Sequence, residues 1–212
     1  MYIGRIVAIG MTNSGKKAAM YRVSSRSFPN REARKNGEVV SIMPKPGFED
    51  DLSKNPYIAY NCVRLAGDFA IASNGSHTDP ITEKIAMGMP VRDAMTLGLL
   101  AMDYEKDSYN TPRIIAAVSR KDPKGFLGIV RHDAVLVKEF ELSPGKAFYV
   151  ATYELNAPTT HYCDDEFSAT SAEIACQHII NGSVFADFEN PVTAAAVLVD
   201  QDNTEIATAD AQ

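Results

Sequence analysis

Much of this chain alternates in twos. Between Ala18 and Ser24, Ala19, Tyr21 and Val23 alternate with Met20, Arg22 and Ser24, the period of a strand. Strand-like runs recur at Tyr2–Ile9, Glu38–Met43, Tyr57–Leu65, Phe69–Ser73, Arg113–Ser119, Gly125–Arg131, Ala134–Glu141, Ala147–Tyr153 and Thr193–Val199. Turn chemistry separates them at Lys45-Pro46-Gly47, Ala66-Gly67-Asp68, His132-Asp133 and Ser143-Pro144-Gly145. Helical signals are confined to three blocks. Asp79-Pro80 offers an N-cap and a first-turn proline, predicting a helix towards Met87. Pro90 opens a second over VRDAMTLGLLAMDYE, with Val91, Met95 and Met102 on one side, Leu99 nearby, and acids at its end that oppose the helix dipole. Thr170-Ser171-Ala172-Glu173 reads as a capping box for a third, ending near Asn181-Gly182. Many strands in hairpin succession with helices in separate blocks define an α+β fold: two packed antiparallel sheets with helices on their outer faces. No repeat, low-complexity block or linker interrupts the chain, so one domain is expected over residues 1–212.

The stretch GMTNSGKK, Gly10–Lys17, matches most of a phosphate-binding P-loop, but Lys17 stands where a hydroxyl should ligate magnesium. A P-loop also leads into a helix, whereas period-2 alternation follows here. Asn13-Ser14-Gly15 therefore predicts a hairpin turn. With 212 residues, 45% hydrophobic and 23% charged, the chain can bury a sizeable core. A net charge of -6 argues against general nucleic-acid binding. No apolar run suits a membrane span and the N-terminus lacks a secretory layout, so a cytoplasmic location is expected. Cys62, Cys163 and Cys176 are few, odd in number and far apart, predicting neither disulfides nor zinc. Seven basic residues and one acid between Lys16 and Lys35 give a local +6 in this acidic chain. That is either a solvated hairpin or an anion site.

Four stretches place polar residues inside or at the ends of apolar runs. In Arg22–Arg31 (RVSSRSFPNR), hydroxyls interleave with Arg22, Arg26 and Arg31, as suits a phosphate or carboxylate, or a solvated turn. In Asn55–Cys62, Tyr60 and Asn61 sit within a strand, where core packing with a satisfied hydroxyl is the simpler reading of the tyrosine. Ser73–Asp79 (SNGSHTD) feeds a helix N-terminus, a natural oxyanion site or simply a capped polar turn. Met102–Asp107 clusters ionisable groups at a helix end, followed by Asn110–Arg113. The residues alone give an anion site and polar clusters, but no reaction.

These four stretches, with the opening YIGRI and the late PVTAAA (Pro191–Ala196), resemble the archaeal-type IMP cyclohydrolase family. The resemblance runs from the first residues to about Ala196. It implies a four-layer αββα sandwich similar to N-terminal-nucleophile hydrolases, and closure of 5-formamidoimidazole-4-carboxamide ribonucleotide to IMP with loss of water. Such hydrolases need Cys, Ser or Thr as first residue, whereas this sequence begins Met1-Tyr2, so hydrolase chemistry is not expected to follow the fold.

The implied reaction needs a near-attack arrangement of two groups on one molecule, a proton acceptor, a proton donor and oxyanion stabilisation. Neither metal nor redox cofactor is expected. On this basis Tyr60 and Glu105 are the acid–base candidates. Asn74 with the Gly75–His77 backbone is the oxyanion and positioning candidate, and Asp103 stands in reserve with His77. Arg22, Ser25, Arg26 and Arg31 are the phosphate and ribose candidates, with Asn61, Gly75, Ser76 and His77 completing the substrate set. The expected partners are the nucleotide substrate and IMP, with no nucleic acid or membrane; a homo-oligomer is left open. Two alternatives stand beside this reading. One is an amide hydrolase that self-cleaves at Gly75-Ser76; the other is a non-catalytic purine-nucleotide binder.

Overall fold

The computed structural model describes residues 1–212. Strands β1 (Ile6–Met11) and β2 (Lys17–Ser24) form a hairpin, followed by β3 (Arg31–Asn36) and β4 (Val39–Pro44). A short helix α1 (Asp51–Lys54) and a 3-10 turn at Pro56–Ile58 precede β5 (Tyr60–Ala66) and β6 (Phe69–Ser73). Helices α2 (Thr78–Ala86) and α3 (Val91–Met102) come next, then β7 (Arg113–Ser119), β8 (Lys124–Arg131), β9 (Ala134–Glu141), β10 (Lys146–Ala151) and β11 (Cys163–Asp164). Helix α4 (Ala172–Asn181), a 3-10 turn at Ser183–Asp187, β12 (Pro191–Val199) and β13 (Thr204–Asp210) complete the chain.

The strands form a six-stranded sheet, β11-β10-β1-β2-β12-β13, and a seven-stranded sheet, β3-β4-β5-β6-β7-β8-β9. Every pairing within them is antiparallel. The alternation in β2 explains the layering. Ala19, Tyr21 and Val23 enter the core between the sheets, while Ala18 and Met20 face α4 on the other side. Both faces are covered, so all of β2 is buried. Helices α2 and α3 pack Ile81, Met95 and Leu99 on the outer face of the seven-stranded sheet. The α+β sandwich of two antiparallel sheets with helices outside is therefore present.

The P-loop lookalike is a hairpin turn. Gly15 donates its N–H to the Thr12 carbonyl at 2.9 Å with φ +86°, a conformation that favours glycine. Several expected boundaries need correction. Strand β1 starts at Ile6, not Tyr2, because Gly4 turns at φ +76° and a Cβ there would lie 2.1 Å from Thr152 Oγ1. Residues 57–59 are a turn rather than strand. Helix α2 begins at Thr78, so Asp79 is not its cap; its carboxylate accepts from Asn61 and Arg64 instead. Helix α3 ends at Met102, and Asp103 takes φ 54°, which frees Glu105 from the helix. Met102 is not on the buried side with Val91 and Met95 but partly exposed. The cap of α4 is Ser171, whose hydroxyl accepts from the Ile174 N–H at 3.3 Å. Three strands were not expected: β3, β11 and β13. All lie at sheet edges, where charged and small residues replace the apolar alternation.

Candidate active site

A cleft of about 700 Å³, within the range of small-molecule sites, opens at one end of the two sheets. Its walls come from the segment before β1 (Tyr2, Gly4, Arg5), the β2–β3 connection (Ser24–Phe28, Arg31) and the α1 to 3-10 region (Lys54–Ile58). Residues 105–109 after α3, with Thr111 and Tyr153, complete them. Arg5, Arg26, Arg31, Lys54 and Lys106 face Glu105 and Asp107, so the lining is cationic in an acidic chain. Such a cleft attracts an anion.

Glu105 is at its heart. The residue is 1% exposed, and its Oε2 accepts from Arg5 Nη2 at 3.1 Å while Oε1 is buried without a partner. Its backbone N–H donates to the Thr111 carbonyl at 2.8 Å, fixing the turn that follows α3. Burial pushes the carboxyl pKa up, against the lowering pull of Arg5 and Arg113. Burial also works against the charge on Arg5, but Glu105, Tyr60 and Tyr21 outweigh it and hold Arg5 firmly protonated.

Tyr60 lies buried beneath the wall, within the fields of Arg31, Arg5 and Glu105. Its hydroxyl meets that of Tyr21 at 2.6 Å. Burial raises its pKa and the two arginines oppose the rise. Arg31 is 3% exposed; Nε donates to the Phe28 carbonyl at 3.1 Å, but Nη1 is buried and unpartnered. Arg113 lies behind Glu105. Its Nε donates to the Asp103 carbonyl at 2.8 Å, its guanidinium sits 5.5 Å from the centre of the Tyr57 ring, and its Nη1 has no partner. Unpartnered charged atoms in a buried site cost stability unless a ligand satisfies them.

Of the expected residues, Glu105, Ser25, Arg26 and Arg31 line the cleft, while Tyr60 does not line it but is buried close to Arg5, Arg31 and Glu105. Ser25 accepts from the Phe28 N–H at 3.0 Å and shapes the β2–β3 turn. Arg26 is 60% exposed at the rim, bonded to Glu189 at 3.0 Å and stacked over the Tyr2 ring at 4.2 Å. The other candidates lie elsewhere. Arg22 points to the outer face of β2, as its place in the alternation requires. Its guanidinium donates to the carbonyls of Ile179, Ile180, Phe185, Phe188 and Glu189. It is a buried cap for the end of α4 and the turn beyond, not a phosphate ligand. Asn74 is fully occupied between β6 and β7: Nδ2 donates to the Pro112 carbonyl at 2.9 Å and Oδ1 accepts from the Ile114 N–H at 2.7 Å. Neither it nor Gly75, Ser76 or His77 lines the cleft. His77 is fully buried, with Nε2 3.0 Å from the Ile114 carbonyl oxygen; Ser76 is exposed. Asn61 bonds Ser41 at 2.7 Å and Asp79, on the outer side of β5. Asp103 pairs with Lys106 at 2.5 Å and does not face the cleft.

Arg5, Tyr21, Tyr57 and Arg113 were not singled out by their residue pattern. A lone arginine within YIGRIVAI was the available signal, since a buried charge in an apolar run needs a partner. No grouping of three His, Cys, Asp or Glu side chains has the arrangement of a metal centre.

Fold and cleft together describe an α+β sandwich with acid and base groups buried beside a cationic opening, the arrangement of an enzyme for a small anionic substrate. Residues 2–203 match the family model described as IMP cyclohydrolase-like protein. The chain is 48% identical to a protein named IMP cyclohydrolase from Methanosphaera stadtmanae, covering 97% of this chain and 98% of that one. Proteins of the same name from Methanococcus maripaludis and Methanocella arvoryzae are each 49% identical. They cover 98% and 97% of this chain and 100% and 96% of their own. The chain belongs to the IMP cyclohydrolase family.

Proposed function

We propose that the cleft closes 5-formamidoimidazole-4-carboxamide ribonucleotide to IMP, with the ribose phosphate towards Ser25, Arg26, Arg31 and Lys54 and the reacting groups against Glu105 and Tyr60. One observation carries the placement: Glu105 Oε1 and Arg31 Nη1, from two residues that line the cleft, are buried charged atoms with no protein partner. An acceptor and a donor left vacant in one cleft suit a substrate that must lose a proton while its anionic end is held.

The atoms balance as follows. The carboxamide nitrogen attacks the formyl carbon, and a C–N bond forms as one N–H proton passes to Glu105. The formyl oxygen takes the Tyr60 proton and becomes a hydroxyl, giving a cyclic carbinolamine. Electrons from the former formamide nitrogen then form a C=N bond and expel that hydroxyl, which leaves as water with the Glu105 proton. The formamide N–H proton returns to Tyr60. Arg5 and Arg31 stabilise the transient tyrosinate. Holding both ends of one molecule in attack geometry supplies much of the acceleration.

This reading takes the chain as one functional unit over residues 1–212, working in the cytoplasm without nucleic acid. No helix is long and apolar enough to cross a membrane. The deciding experiment follows ring closure by absorbance on the formylated precursor. Conversion above the spontaneous rate supports the reading. Tight IMP binding without conversion would make the chain a nucleotide binder, and an internal break at Gly75-Ser76 by intact mass would restore the amide-hydrolase alternative.

A further inference from the structure

We propose that Tyr21 is a positioning residue for ring closure: its hydroxyl reaches across from the opposite sheet, donates to the Tyr60 oxygen, and stabilises the negative charge Tyr60 acquires on releasing its proton. The inference rests on the reading of Tyr60 as proton donor and adds the group that makes it one.

The geometry comes first. Tyr21 stands on β2 of the six-stranded sheet and Tyr60 at the start of β5 of the seven-stranded sheet. Their rings lie 6.3 Å apart between centroids, and the hydroxyls meet at 2.6 Å, each the other's sole hydrogen-bond partner. Two hydroxyls sharing one bond leave one hydrogen over. Whichever oxygen accepts keeps a proton that no protein atom claims.

The surroundings decide which that is. Tyr60 is faced by Arg5 from before β1, Tyr21 from β2, Arg31 from β3, Glu105 from after α3 and Arg113 from β7. Tyr21 is entirely enclosed in the core between the sheets, while Tyr60 keeps a small exposure of 7%. Burial drives the Tyr21 pKa far up and Tyr60 adds to the rise; the bond from Tyr21 acts on Tyr60 in the lowering direction. Enclosure sets the direction of the bond: the Tyr21 hydrogen has no acceptor in the closed core except the Tyr60 oxygen, so Tyr21 donates. Tyr60 accepts, and its free hydrogen is the one available to a substrate. The ordinary reading, that Tyr21 is core packing, accounts for its ring but not for a hydroxyl placed against one other hydroxyl in a dry core.

Tyr21→Phe keeps the ring and removes only the donor. The expected result is a kcat lowered about tenfold or more, with KM and IMP affinity unchanged. In a Tyr60→Phe background the same change should cost nothing further, because Tyr21 acts only through the Tyr60 oxygen. Ionisation of Tyr60 is followed without turnover by NMR of Cζ-labelled tyrosine, its resonance assigned by loss in Tyr60→Phe. In Tyr21→Phe it should move up by about one to two pH units. Replacing Tyr21 alone with 3-fluorotyrosine, a stronger donor that preserves packing, should move it down; this arm serves if Tyr21→Phe does not fold. An equal loss of kcat in both backgrounds, or a Tyr60 ionisation unmoved by either replacement, overturns the inference. A wild-type chain that fails to close the ring while Tyr60 still responds to Tyr21 supports the coupling and overturns the assigned reaction instead.

Discussion

The Arg5 guanidinium and the Glu105 carboxylate, 100 residues apart in sequence, share one hydrogen bond of 3.1 Å, and it leaves the second carboxylate oxygen buried and vacant. A fully satisfied pair would be a structural tie. Half-satisfied, it is a carboxylate in the cleft lining that is held in place by one oxygen and keeps the other free to accept a proton.

Glu105→Gln keeps the shape and removes the base. A fall in kcat of roughly two to four powers of ten is expected, the scale of general acid–base catalysis. The pH profile carries a sign as well. Glu105 must be ionised to accept a proton, and burial places its pKa above the ordinary carboxylate value of about 4.3. Activity should therefore fail on the acid side at a higher pH than an exposed glutamate would give. Arg5→Gln removes a cation that opposes the rise, so the acid limb should move higher still. A limb that moves down, or does not move, would show that Arg5 does not act on Glu105.

Tyr60→Phe should lower kcat by a comparable two to four powers of ten and leave IMP binding little changed. If Tyr60 and Glu105 work on the same centre, the double variant will be little worse than the poorer single one. Multiplying losses would mean that the two act in separate steps.

Arg31 and Arg26 both line the cleft, but the loss of each should differ in size. Arg31 is buried with a vacant Nη1, so Arg31→Ala removes a charge-assisted contact of about 1.5–3 kcal/mol, raising KM roughly 10- to 150-fold. Arg26 is exposed and already bonded to Glu189, so Arg26→Ala should cost less than Arg31→Ala. The reverse order in measured KM values would move the phosphate to the rim.

Strand alternation made the two-sheet sandwich legible, because a buried period-2 run such as Ala18–Ser24 has few other ways to fold. The same alternation carried the answer for Arg22: it shares a face with Ala18 and Met20, away from Tyr21. What the residues alone could not show is which layer each face meets, so a basic stretch read as one anion site divides into a helix cap and a cleft wall. Arg5 and Arg113 stayed hidden for a related reason. Their partners, Glu105 and Asp103, lie 100 and 10 residues away, and only the fold brings them together. The edge strands β3 and β13 were illegible because an edge is stabilised by one neighbour and needs no apolar period.

Arg22 offers a direct check on that division. Its guanidinium is the donor for five carbonyls at the end of α4 and the following turn, and burial lowers its pKa to about 10. Arg22→Ala should destabilise the fold by several kcal/mol, on the order of 3–5, since buried carbonyls lose their donor. The KM of the enzyme that remains folded should be unchanged. A raised KM at normal thermal stability would return Arg22 to the phosphate site.

His77 provides the prediction with the clearest pH signature. It is fully buried beside Arg113, and its Nδ1 has no partner. Burial first, and the Arg113 charge second, lower its pKa to about 3. The imidazole is therefore neutral wherever the enzyme works, and His77 should contribute no limb to the activity profile near pH 6.5. Its effect belongs to stability. Above the unfolded pKa of about 6.5, neither folded nor unfolded His77 binds a proton, and the contribution is fully present. As pH falls below that value the unfolded chain takes up a proton that the fold refuses. Stability should then decline by about 1.4 kcal/mol per pH unit from this residue until the folded pKa is reached. His77→Gln, which cannot titrate, should remove about that much of the slope of unfolding free energy between pH 6 and 4, measured by denaturant titration. An unchanged slope would mean that His77 already accepts its proton in the fold, and that burial and the Arg113 charge do not keep the imidazole neutral.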